Sequence, residues 1–528
     1  MRFFNTAGPV KPEMHYCLSP LERIKLNEIL PLIEQEKYFV LHAPRQTGKT
    51  SCLLALMEYL NTQGQYCCVY VNVELAQSAR EDVAAAMQAI LSQLAYQAQS
   101  VLHDEFLTSQ WYAILQQSGA HAALNEVLAR WAEHNPKPLV VLIDEIDSLV
   151  GDTLIAVLRQ LRTGYAQRPH RFPQSILLCG VRDVRDYRIH SSTEKAVITG
   201  GSAFNIKAKS LRLGNFSRME MKTLYAQHTV ETGQAFTSEA LERLWELSQG
   251  QPWLVNALGY ETCFEIKEGR DRSQPISVEL VDKAKEAIIL RRETHLDQLT
   301  DKLKEPRVQQ VIEPLLQGVE LPTNVAEDNI QYVVDLGLIR RGEHGLELAN
   351  ALYQEVIPRE LTWVMQLSLE SSQWPAWYVR SDGRLDMDKL LTAFQVFFRE
   401  NSEHWVERFQ YREAGPQLLL QAFLQRIVNG GGRIEREYGL GRMRTDLFIL
   451  WFHPGGVQKV VIELKLLYQG LEQTLAKGLA QTWEYLDRCG AEEGHLVIFD
   501  RTEGKAWEEK LFRREETVRG RPLMVWGM

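Results

Sequence analysis

One strand–loop–helix segment near the N-terminus constrains the fold of this chain more than any other feature of its sequence. Residues 38–42 are mostly apolar and predict a short strand, and residues 51–60 predict an apolar helix. The loop between them reads Ala-Pro-Arg-Gln-Thr-Gly-Lys-Thr and contains Gly48, Lys49 and Thr50. Such a loop is an anion site, because the free N–H groups and the dipole of the helix N-terminus favour negative charge. The segment therefore predicts phosphate binding.

The loop matches the Walker A pattern G-x-x-x-x-G-K-[ST] except at its first position, where Ala43 replaces glycine. Alanine is acceptable there if its φ is negative. We expect Gly48 to let the backbone approach the phosphates of ATP, Lys49 to reach the β- and γ-phosphates, and Thr50 to bind Mg²⁺. A chance Gly-Lys-Thr at a strand–helix junction is the alternative. The residues expected to line the nucleotide here are Ala43, Pro44, Arg45, Gln46, Thr47, Gly48, Lys49, Thr50 and Ser51.

A second segment has the Walker B form, which argues against the chance reading. The apolar residues 139–143 predict a buried strand that ends on Asp144 and Glu145. We expect Asp144 to hold Mg²⁺ through water and Glu145 to activate the attacking water as a general base. Asp147 is either a partner of this site or a helix N-cap, and we favour the N-cap.

Strands and helices alternate through the first part of the chain and predict a doubly wound α/β domain that ends near Leu213. A long helical stretch is expected from residue 80 to residue 131. Arg182 directly follows the apolar strand 175–180, where a sensor residue would touch the γ-phosphate. A surface arginine is the alternative for Arg182.

The motifs "APRQTGKTS", "LIDEID" and "GQPWLVNAL" occur in this order and together resemble the archaeal-ATPase and STAND group of AAA-like P-loop ATPases. The resemblance covers residues 21–361. It implies a helical lid whose Gly250-Gln251-Pro252 turn approaches the nucleotide, so that Pro252 contributes to the site. It also implies a winged helix after the lid.

The C-terminal part contains a second group of candidate catalytic residues. Glu463 and Lys465 are two apart in the apolar strand 460–466, so both side chains point to one face. Asp446 begins the preceding strand, and the turn 453–456 makes the two strands a hairpin. Two carboxylates and a lysine would suit metal-dependent phosphodiester hydrolysis, with Asp446 and Glu463 as ligands of Mg²⁺ or Mn²⁺. The alternative is a buried core strand that carries two charges.

Asp446, Glu463-Leu464-Lys465 and the helix with Gln481 and Tyr485 resemble the PD-(D/E)XK nuclease superfamily, in its RecB-type branch. The resemblance covers residues 403–500 and implies that Lys465, Gln481 and Tyr485 belong to the catalytic site. That branch often adds an acidic residue from the first helix, for which Glu413 is the candidate. Other acidic residues that could take this role or compete for the metal are Glu403, Glu407, Glu435 and Glu437.

These features predict five domains in an α/β multidomain chain. They are a P-loop ATPase core (residues 1–213), a helical lid (214–290), a winged-helix-like segment (291–361), a connector (362–400) and a restriction-endonuclease-like α/β domain (401–528). We interpret the chain as an ATP-regulated, metal-dependent nuclease, and the resemblance suggests a role in anti-phage defence or in mobile elements. A STAND-like signalling switch without cleavage and a nucleic-acid motor are the alternatives.

Composition sets outer limits on this interpretation. The chain has 528 residues, a net charge of −9 and 45% hydrophobic residues, which is ordinary for a globular protein and too long for one core. No apolar run approaches the ~20 residues that span a bilayer, and the seven cysteines form no C-x-x-C pair. We therefore expect a cytoplasmic protein that does not bind a membrane. The nuclease resemblance implies nucleic acid, DNA in the first place, as its partner. Homo-oligomerisation is left open.

Overall fold

The structure is a computed structural model, and it describes residues 1–191, 196–291, 301–303, 305–317, 325–342, 345–357, 378–409, 419–421, 423–424, 432–440, 443–467, 470–500, 502 and 505–528. Glu413 lies outside these residues. The chain divides into two compact units. The first unit comprises residues 1–295 and 326–351, and the second comprises residues 296–325 and 352–528. The finer division into five domains stays a prediction.

The first unit is built around one parallel sheet. The strands of the first unit are β1 (Phe3–Phe4), β2 (His15–Tyr16), β3 (Tyr38–His42), β4 (Cys67–Asn72), β5 (Leu139–Asp144), β6 (Ser175–Gly180), β7 (Arg188–Ser191), β8 (Ala196–Thr199), β9 (Lys207–Arg212), β10 (Ile339–Gly342) and β11 (Gly345–Leu348). Five of them form the main sheet in the order β4-β5-β6-β3-β9, and all neighbours are parallel. The predicted α/β class is confirmed for this unit.

Strand order explains where the site lies. Strand β6 lies between β3, which leads into the phosphate loop, and β5, which ends on Asp144. All three strands are almost entirely buried, as their apolar runs predict. The carboxyl ends of parallel strands meet at one edge of a sheet, and ligands bind there. Residues that follow β3, β5 and β6 are therefore brought together at that edge.

The helical stretch that we expected from residue 80 to residue 131 is not continuous. It consists of the helices Val83–Leu102, Phe106–Ser118 and Ala123–His134. The first break is at His103, which has a φ of 55°, and the second is at Gly119, which has a φ of 71°. A left-handed residue ends a helix, and hydrophobic periodicity does not reveal such a stop. The other helices of eight or more residues before residue 213 are Leu26–Glu34, Lys49–Gln63 and Gly151–Gly164.

The helices of the predicted lid follow β9. They are Arg218–Thr232, Ser238–Ser248, Pro252–Tyr260 and Val278–Leu290. Ser217 and Glu220 form a capping box at the start of the first of them. The helix Glu327–Asp335 and the antiparallel hairpin β10–β11 complete the first unit. The winged-helix assignment of residues 291–361 stays a prediction.

The second unit contains a six-stranded mixed sheet. Its strands are β12 (Gly432–Leu440), β13 (Met443–His453), β14 (Gly456–Leu466), β15 (Glu493–Phe499), β16 (Phe512–Val518) and β17 (Arg521–Gly527), in the order β12-β13-β14-β15-β17-β16. The first three are antiparallel, whereas β14, β15 and β17 are parallel to one another. Its helices are Pro306–Gln317, Met387–Phe409, Leu471–Cys489 and Trp507–Lys510. The helix Met387–Phe409 runs through the expected boundary at residue 400.

Candidate functional site

The phosphate loop has the backbone that anion binding requires. Gln46 and Gly48 have φ angles of 57° and 91°, whereas Ala43 is outside the positive-φ region. Alanine therefore fits at the first Walker A position, as expected. Arg45 and Gln46 are exposed, and Thr47 is buried with its hydroxyl donating to the Pro44 carbonyl at 2.8 Å. The Thr47 side chain thus links two positions of the loop backbone.

Lys49 lies against the loop that precedes it. Its buried ammonium group donates to the carbonyl oxygens of Ala43 and Pro44, at 3.0 Å each. Ser51 follows Thr50 in the first turn of the helix Lys49–Gln63, and its hydroxyl oxygen accepts the Val10 N–H at 3.0 Å. A buried cation held by loop carbonyls can transfer to phosphate oxygens with little movement of the side chain. The role of Lys49 toward the phosphates stays a prediction.

The structure brings Thr50 and Asp144 together, although they are 94 positions apart. The Thr50 hydroxyl donates to Asp144 Oδ2 at 2.8 Å, and the Tyr70 hydroxyl donates to the same oxygen at 3.0 Å. Asp144 is fully buried, and its Oδ1 accepts the Glu145 N–H at 2.9 Å. A hydroxyl and a carboxylate side by side are the hard oxygen ligands that Mg²⁺ prefers. The residues present therefore fit a magnesium site.

Tyr70 is a site residue that the sequence analysis missed. It lies on β4, which pairs with β5, and burial together with the Asp144 charge raises the pKa of its hydroxyl. Tyr70 therefore stays protonated and acts as a donor to Asp144. The only sequence signal is that a tyrosine interrupts the apolar run Cys67–Asn72, and tyrosine is common in ordinary strands.

Glu145 has an unusual backbone and a perturbed carboxyl group. Its φ is 57°, a left-handed conformation that glutamate rarely adopts. Burial raises the pKa of Glu145 first, and the charge of Asp147 raises it further, whereas Lys49 opposes the shift. A carboxylate that binds a proton more readily is a better general base, so this environment suits the expected role.

Asp147 does not act as a helix N-cap, which corrects our interpretation. It lies inside the short 3₁₀ turn Ile146–Ser148, and Val150 stands at the N-cap of the following helix without a side-chain bond. Asp147 Oδ1 instead accepts the Val181 N–H at 3.1 Å. The side chain thereby ties the segment after β5 to the residue after β6. Its proximity to Glu145 makes Asp147 a partner of the site.

Arg182 is held by an ion pair within the first unit. Its Nε lies 3.4 Å from Asp335 Oδ2, and its guanidinium carbon lies 4.9 Å from the centre of the Tyr332 ring. Asp335 is 1% exposed and also accepts a hydrogen bond of 2.8 Å from Gln331. Arg182 is therefore no free surface arginine. Its role toward the γ-phosphate stays a prediction.

The turn before the helix Pro252–Tyr260 is tightly built. Gln251 caps this helix by accepting the Leu254 N–H at 2.6 Å, and Pro252 is buried at its first position. Gly250 has a φ of 70°, and a Cβ there would overlap the carbonyl oxygen of Phe216. The glycine is thus required by a close backbone approach. The approach of Pro252 to a nucleotide stays a prediction.

Arg23 is a second residue that the sequence analysis missed. Its Nη1 donates to the Thr47 carbonyl at 2.7 Å, and its Nη2 donates to the Gly214 carbonyl at 2.9 Å. The guanidinium carbon lies 4.6 Å from the centre of the Phe216 ring. The phosphate loop is therefore connected through one side chain to the start of the predicted lid. Nothing in the segment around Arg23 marks it out in the sequence.

Two of the expected C-terminal site residues are in direct contact. Lys465 Nζ lies 2.6 Å from Glu463 Oε1, and Glu463 is only 2% exposed. Asp446 lies on β13, and the pairing of Leu447 with Ile462 places its backbone level with Glu463 on β14. The Asp446 side chain lies outside the described part of the chain. The predicted hairpin is confirmed, since β13 and β14 pair up to His453 and Gly456.

Gln481 and Tyr485 lie on the helix Leu471–Cys489, which connects β14 to β15. Gln481 is half-buried, and no partner for its Oε1 is found among the described residues. Tyr485 is 3% exposed and packs with Phe448 and Val461 in an apolar cluster. Tyr485 is thus at least in part a core residue. The catalytic roles of both residues stay predictions.

Within the part of the chain that the structure describes, no group of three or more His, Cys, Asp or Glu side chains is placed to hold a metal ion. The Thr50–Asp144 pair would need phosphate oxygens or water to complete a magnesium shell. Also within these residues, no helix is long and apolar enough to cross a bilayer.

Comparisons with solved structures give distant matches. A Walker-type ATPase of Pyrococcus abyssi, PABY2304, shares 15% identity at a TM-score of 0.44 and covers 67% of this chain and 99% of its own. Cdc6p from Pyrobaculum aerophilum shares 14% identity at a TM-score of 0.37, and the match covers 68% of this chain and 96% of Cdc6p. The Thermotoga maritima RuvB Holliday junction branch migration motor shares 14% identity at a TM-score of 0.33, and the match covers 64% of this chain and 94% of RuvB.

Comparisons at the level of sequence are more decisive. No significant match is found among curated proteins. A family model described as AAA-like domain, however, matches residues 19–358, which is more than half of the chain. The matched region contains the phosphate loop, Asp144, Glu145 and Arg182. The chain therefore belongs to the AAA-like domain family.

Proposed function

We propose that this protein hydrolyses ATP and that its nucleotide state regulates metal-dependent cleavage of nucleic acid by the second unit. The observation that carries the ATPase part is the 2.8 Å contact between the Thr50 hydroxyl and Asp144 Oδ2. It joins the last residue of the Walker A pattern to the end of the Walker B strand. Thr50 and Asp144 are 94 positions apart, so their contact is not a consequence of local sequence.

The residues of this site divide the chemistry of hydrolysis among themselves. Lys49 binds the β- and γ-phosphates, Thr50 would supply a hydroxyl to Mg²⁺, and Asp144 would hold the ion through water. The metal would neutralise the charge that develops on the phosphate oxygens. Tyr70 keeps Asp144 oriented through its 3.0 Å hydrogen bond. Glu145 takes a proton from the attacking water, for which its raised pKa suits it.

Phosphate release from ATP by the full-length protein tests this assignment. Lys49→Ala should abolish hydrolysis and weaken nucleotide binding, because the phosphates lose their cation. Glu145→Gln should bind ATP but turn it over slowly, because the metal ligand Asp144 remains. Arg130→Ala is a suitable control, since Arg130 pairs with Glu126 on the surface of the helix Ala123–His134. Wild-type turnover in Lys49→Ala would remove the phosphate loop from the mechanism.

The nuclease part rests on the contact between Glu463 and Lys465. Glu463 is buried and Lys465 is partly buried, and such an ion pair usually stabilises a strand no more than apolar side chains would, which favours a chemical role for the pair. Both residues follow Ile462, whose partner Leu447 is next to Asp446. Glu463 and Asp446 would hold Mg²⁺ or Mn²⁺ through hard oxygens, and Lys465 would orient the attacking water. We propose DNA as the first substrate to examine.

Cleavage of plasmid DNA and of single-stranded DNA tests the nuclease part. The full-length protein should cut one of them only with Mg²⁺ or Mn²⁺ present, and chelation should stop the reaction. Lack of cleavage under every combination of metal and ATP would contradict the nuclease proposal but would not affect the proposal of ATP hydrolysis. RNA should be included, because the site chemistry does not distinguish the two sugars.

A second candidate function is a signalling switch that binds ATP but does not cleave nucleic acid. The contact of Arg182 with Asp335 favours it, because a charged residue beside the phosphate loop is held by the segment after the lid. A nucleotide that competes for Arg182 would release that segment. Both the ATP-regulated nuclease and the signalling switch would suit a role in anti-phage defence or in a mobile element. ATP hydrolysis stimulated by nucleic acid without cleavage would instead indicate a motor.

A further inference from the structure

Arg23 occupies an unusual position beside the phosphate loop. It donates to the Thr47 carbonyl at 2.7 Å and to the Gly214 carbonyl at 2.9 Å, using a different nitrogen for each. The two carbonyls belong to segments that are far apart in sequence. A planar guanidinium can make both bonds at once, whereas an ammonium group is a point donor without this fork. The contact is therefore specific for arginine.

The bond to Thr47 determines how the next peptide is oriented. The peptide between Thr47 and Gly48 is planar and trans, so its carbonyl and its N–H point in opposite directions. Because Arg23 holds the carbonyl on the outer side of the loop, the Gly48 N–H faces away from Arg23. A Cβ on Gly48 would lie only 2.8 Å from Arg23 Nη1. A side chain at this position would displace the end of the Arg23 side chain, and the φ of 91° by itself favours glycine.

The bond to Gly214 connects the same side chain to the lid. The Arg23 guanidinium also lies over the Phe216 ring at 4.6 Å. The Phe216 N–H in turn donates to the Gly250 carbonyl at 2.8 Å, in the turn before Pro252. A continuous set of contacts therefore leads from the phosphate loop through Arg23 and Phe216 to the Gly250 turn.

We propose that Arg23 is a positioning residue of the nucleotide site, which orients the Thr47–Gly48 peptide for the β-phosphate and couples that orientation to the lid. This inference rests on the proposed nucleotide binding at the loop. Arg23 itself does not touch the nucleotide. Its loss should weaken ADP and ATP to the same extent, because both carry the β-phosphate that the loop surrounds.

Binding of fluorescent ADP and ATP analogues to the full-length protein provides the first test. Arg23→Ala should weaken both by about ten- to a hundredfold, the size expected for losing a charge-assisted hydrogen bond. Arg23→Lys should recover part of this loss, since an ammonium can replace one bond of the two. Arg130→Ala is the matched control and should bind as the wild type does. Wild-type affinity in Arg23→Ala would overturn the proposal.

Hydrogen exchange provides a readout that a merely structural role would not change. ADP should protect both the loop and residues 214–260 of the wild type. In Arg23→Lys and in Phe216→Leu it should protect the loop but much less of residues 214–260. If Arg23→Ala does not fold, Arg23→Lys and Phe216→Leu still test the role of Arg23. Equal protection of residues 214–260 in wild type and in both variants would contradict the coupling.

The outcomes separate this proposal from the proposed function. If Lys49→Ala binds ADP as well as the wild type does, the nucleotide site itself is wrong. If Lys49→Ala loses binding while Arg23→Ala keeps it, the nucleotide site stands and only the role of Arg23 is refuted.

Discussion

Arg182 and Asp335 are 153 positions apart, yet the arginine Nε lies 3.4 Å from Oδ2 of the aspartate. Arg182 follows β6, the strand between the phosphate-loop strand β3 and the Asp144 strand β5. Arg212, at the end of β9, adds a second contact by donating to the Val334 carbonyl at 3.1 Å. The helix Glu327–Asp335 is thus held at the edge of the sheet where ATP is proposed to bind.

This relationship predicts that ATP and Asp335 compete for Arg182. Asp335→Asn removes the negative charge but keeps an oxygen for the Gln331 hydrogen bond. We expect it to tighten ATP binding about fivefold or more, the lower end of typical coupling energies, and to leave ADP binding unchanged. Titration with fluorescent ATP and ADP analogues measures both. Arg182→Ala should weaken ATP alone.

Asp328→Asn is the control for this prediction, because Asp328 is an exposed acid in the first turn of the same helix. It should bind both nucleotides as the wild type does. A change of ADP and ATP affinity by the same factor in Asp335→Asn would show that the ion pair supports the fold and does not compete with the γ-phosphate.

The raised pKa of Glu145 predicts the acid limb of the pH–rate profile. Glu145 acts as a base only when it is ionised, so kcat should fall as the pH decreases through its pKa. The midpoint should lie above 4.5, the ordinary value, since burial and the Asp147 charge both favour the protonated form. Asp147→Asn removes one of these causes and should move the limb to lower pH. An unchanged limb in this variant would exclude the influence of Asp147.

The C-terminal site predicts that two substitutions stop cleavage without affecting ATP hydrolysis. Glu463→Gln should lose Mg²⁺ or Mn²⁺ binding in calorimetry, whereas Lys465→Ala should keep it. Each should slow DNA cleavage by about two to four orders of magnitude. Lys459→Ala on the same strand is the control, because the Lys459 ammonium binds the Cys489 carbonyl. Full cleavage by Glu463→Gln would refute its role as a ligand.

Regulation by nucleotide predicts that variants of the first unit alter cleavage. The chain between the expected ATPase and nuclease domains has no Gly/Ser linker, and flexible linkers let domains act independently. We expect a coupling of about 1–3 kcal/mol, or ~5–150-fold in cleavage rate. Glu145→Gln with ATP should be the most active form and Lys49→Ala the least. Equal rates for both, with and without ATP at saturating Mg²⁺, would mean that the domains are merely tethered.

The central strands of the first unit could be predicted almost residue by residue. Strands β3 and β6 have the predicted bounds, because strands buried on both faces are continuous apolar runs. The edge strands β9 and β16 were missed. Their sequences, KAKSLR and FRREETV, are rich in charges, which edge strands carry on their solvent side and which loops carry as well. Composition alone cannot separate the two cases.

The phosphate loop, the Asp144–Glu145 pair, Arg182 and the Glu463–Lys465 pair could be found from the sequence alone, because each lies in or next to a short run of residues with a local pattern. The folded structure was needed to find the partners of the residues in the nucleotide site: Tyr70 for Asp144, Arg23 for Thr47 and Asp335 for Arg182. These contacts join residues 24 to 153 positions apart. The Tyr70–Asp144 contact depends on the pairing of β4 with β5, whereas Arg23 and Asp335 lie at the ends of helices that pack against distant segments. Hydrophobic periodicity reports which residues of an element are buried but not the identity of the element beside it.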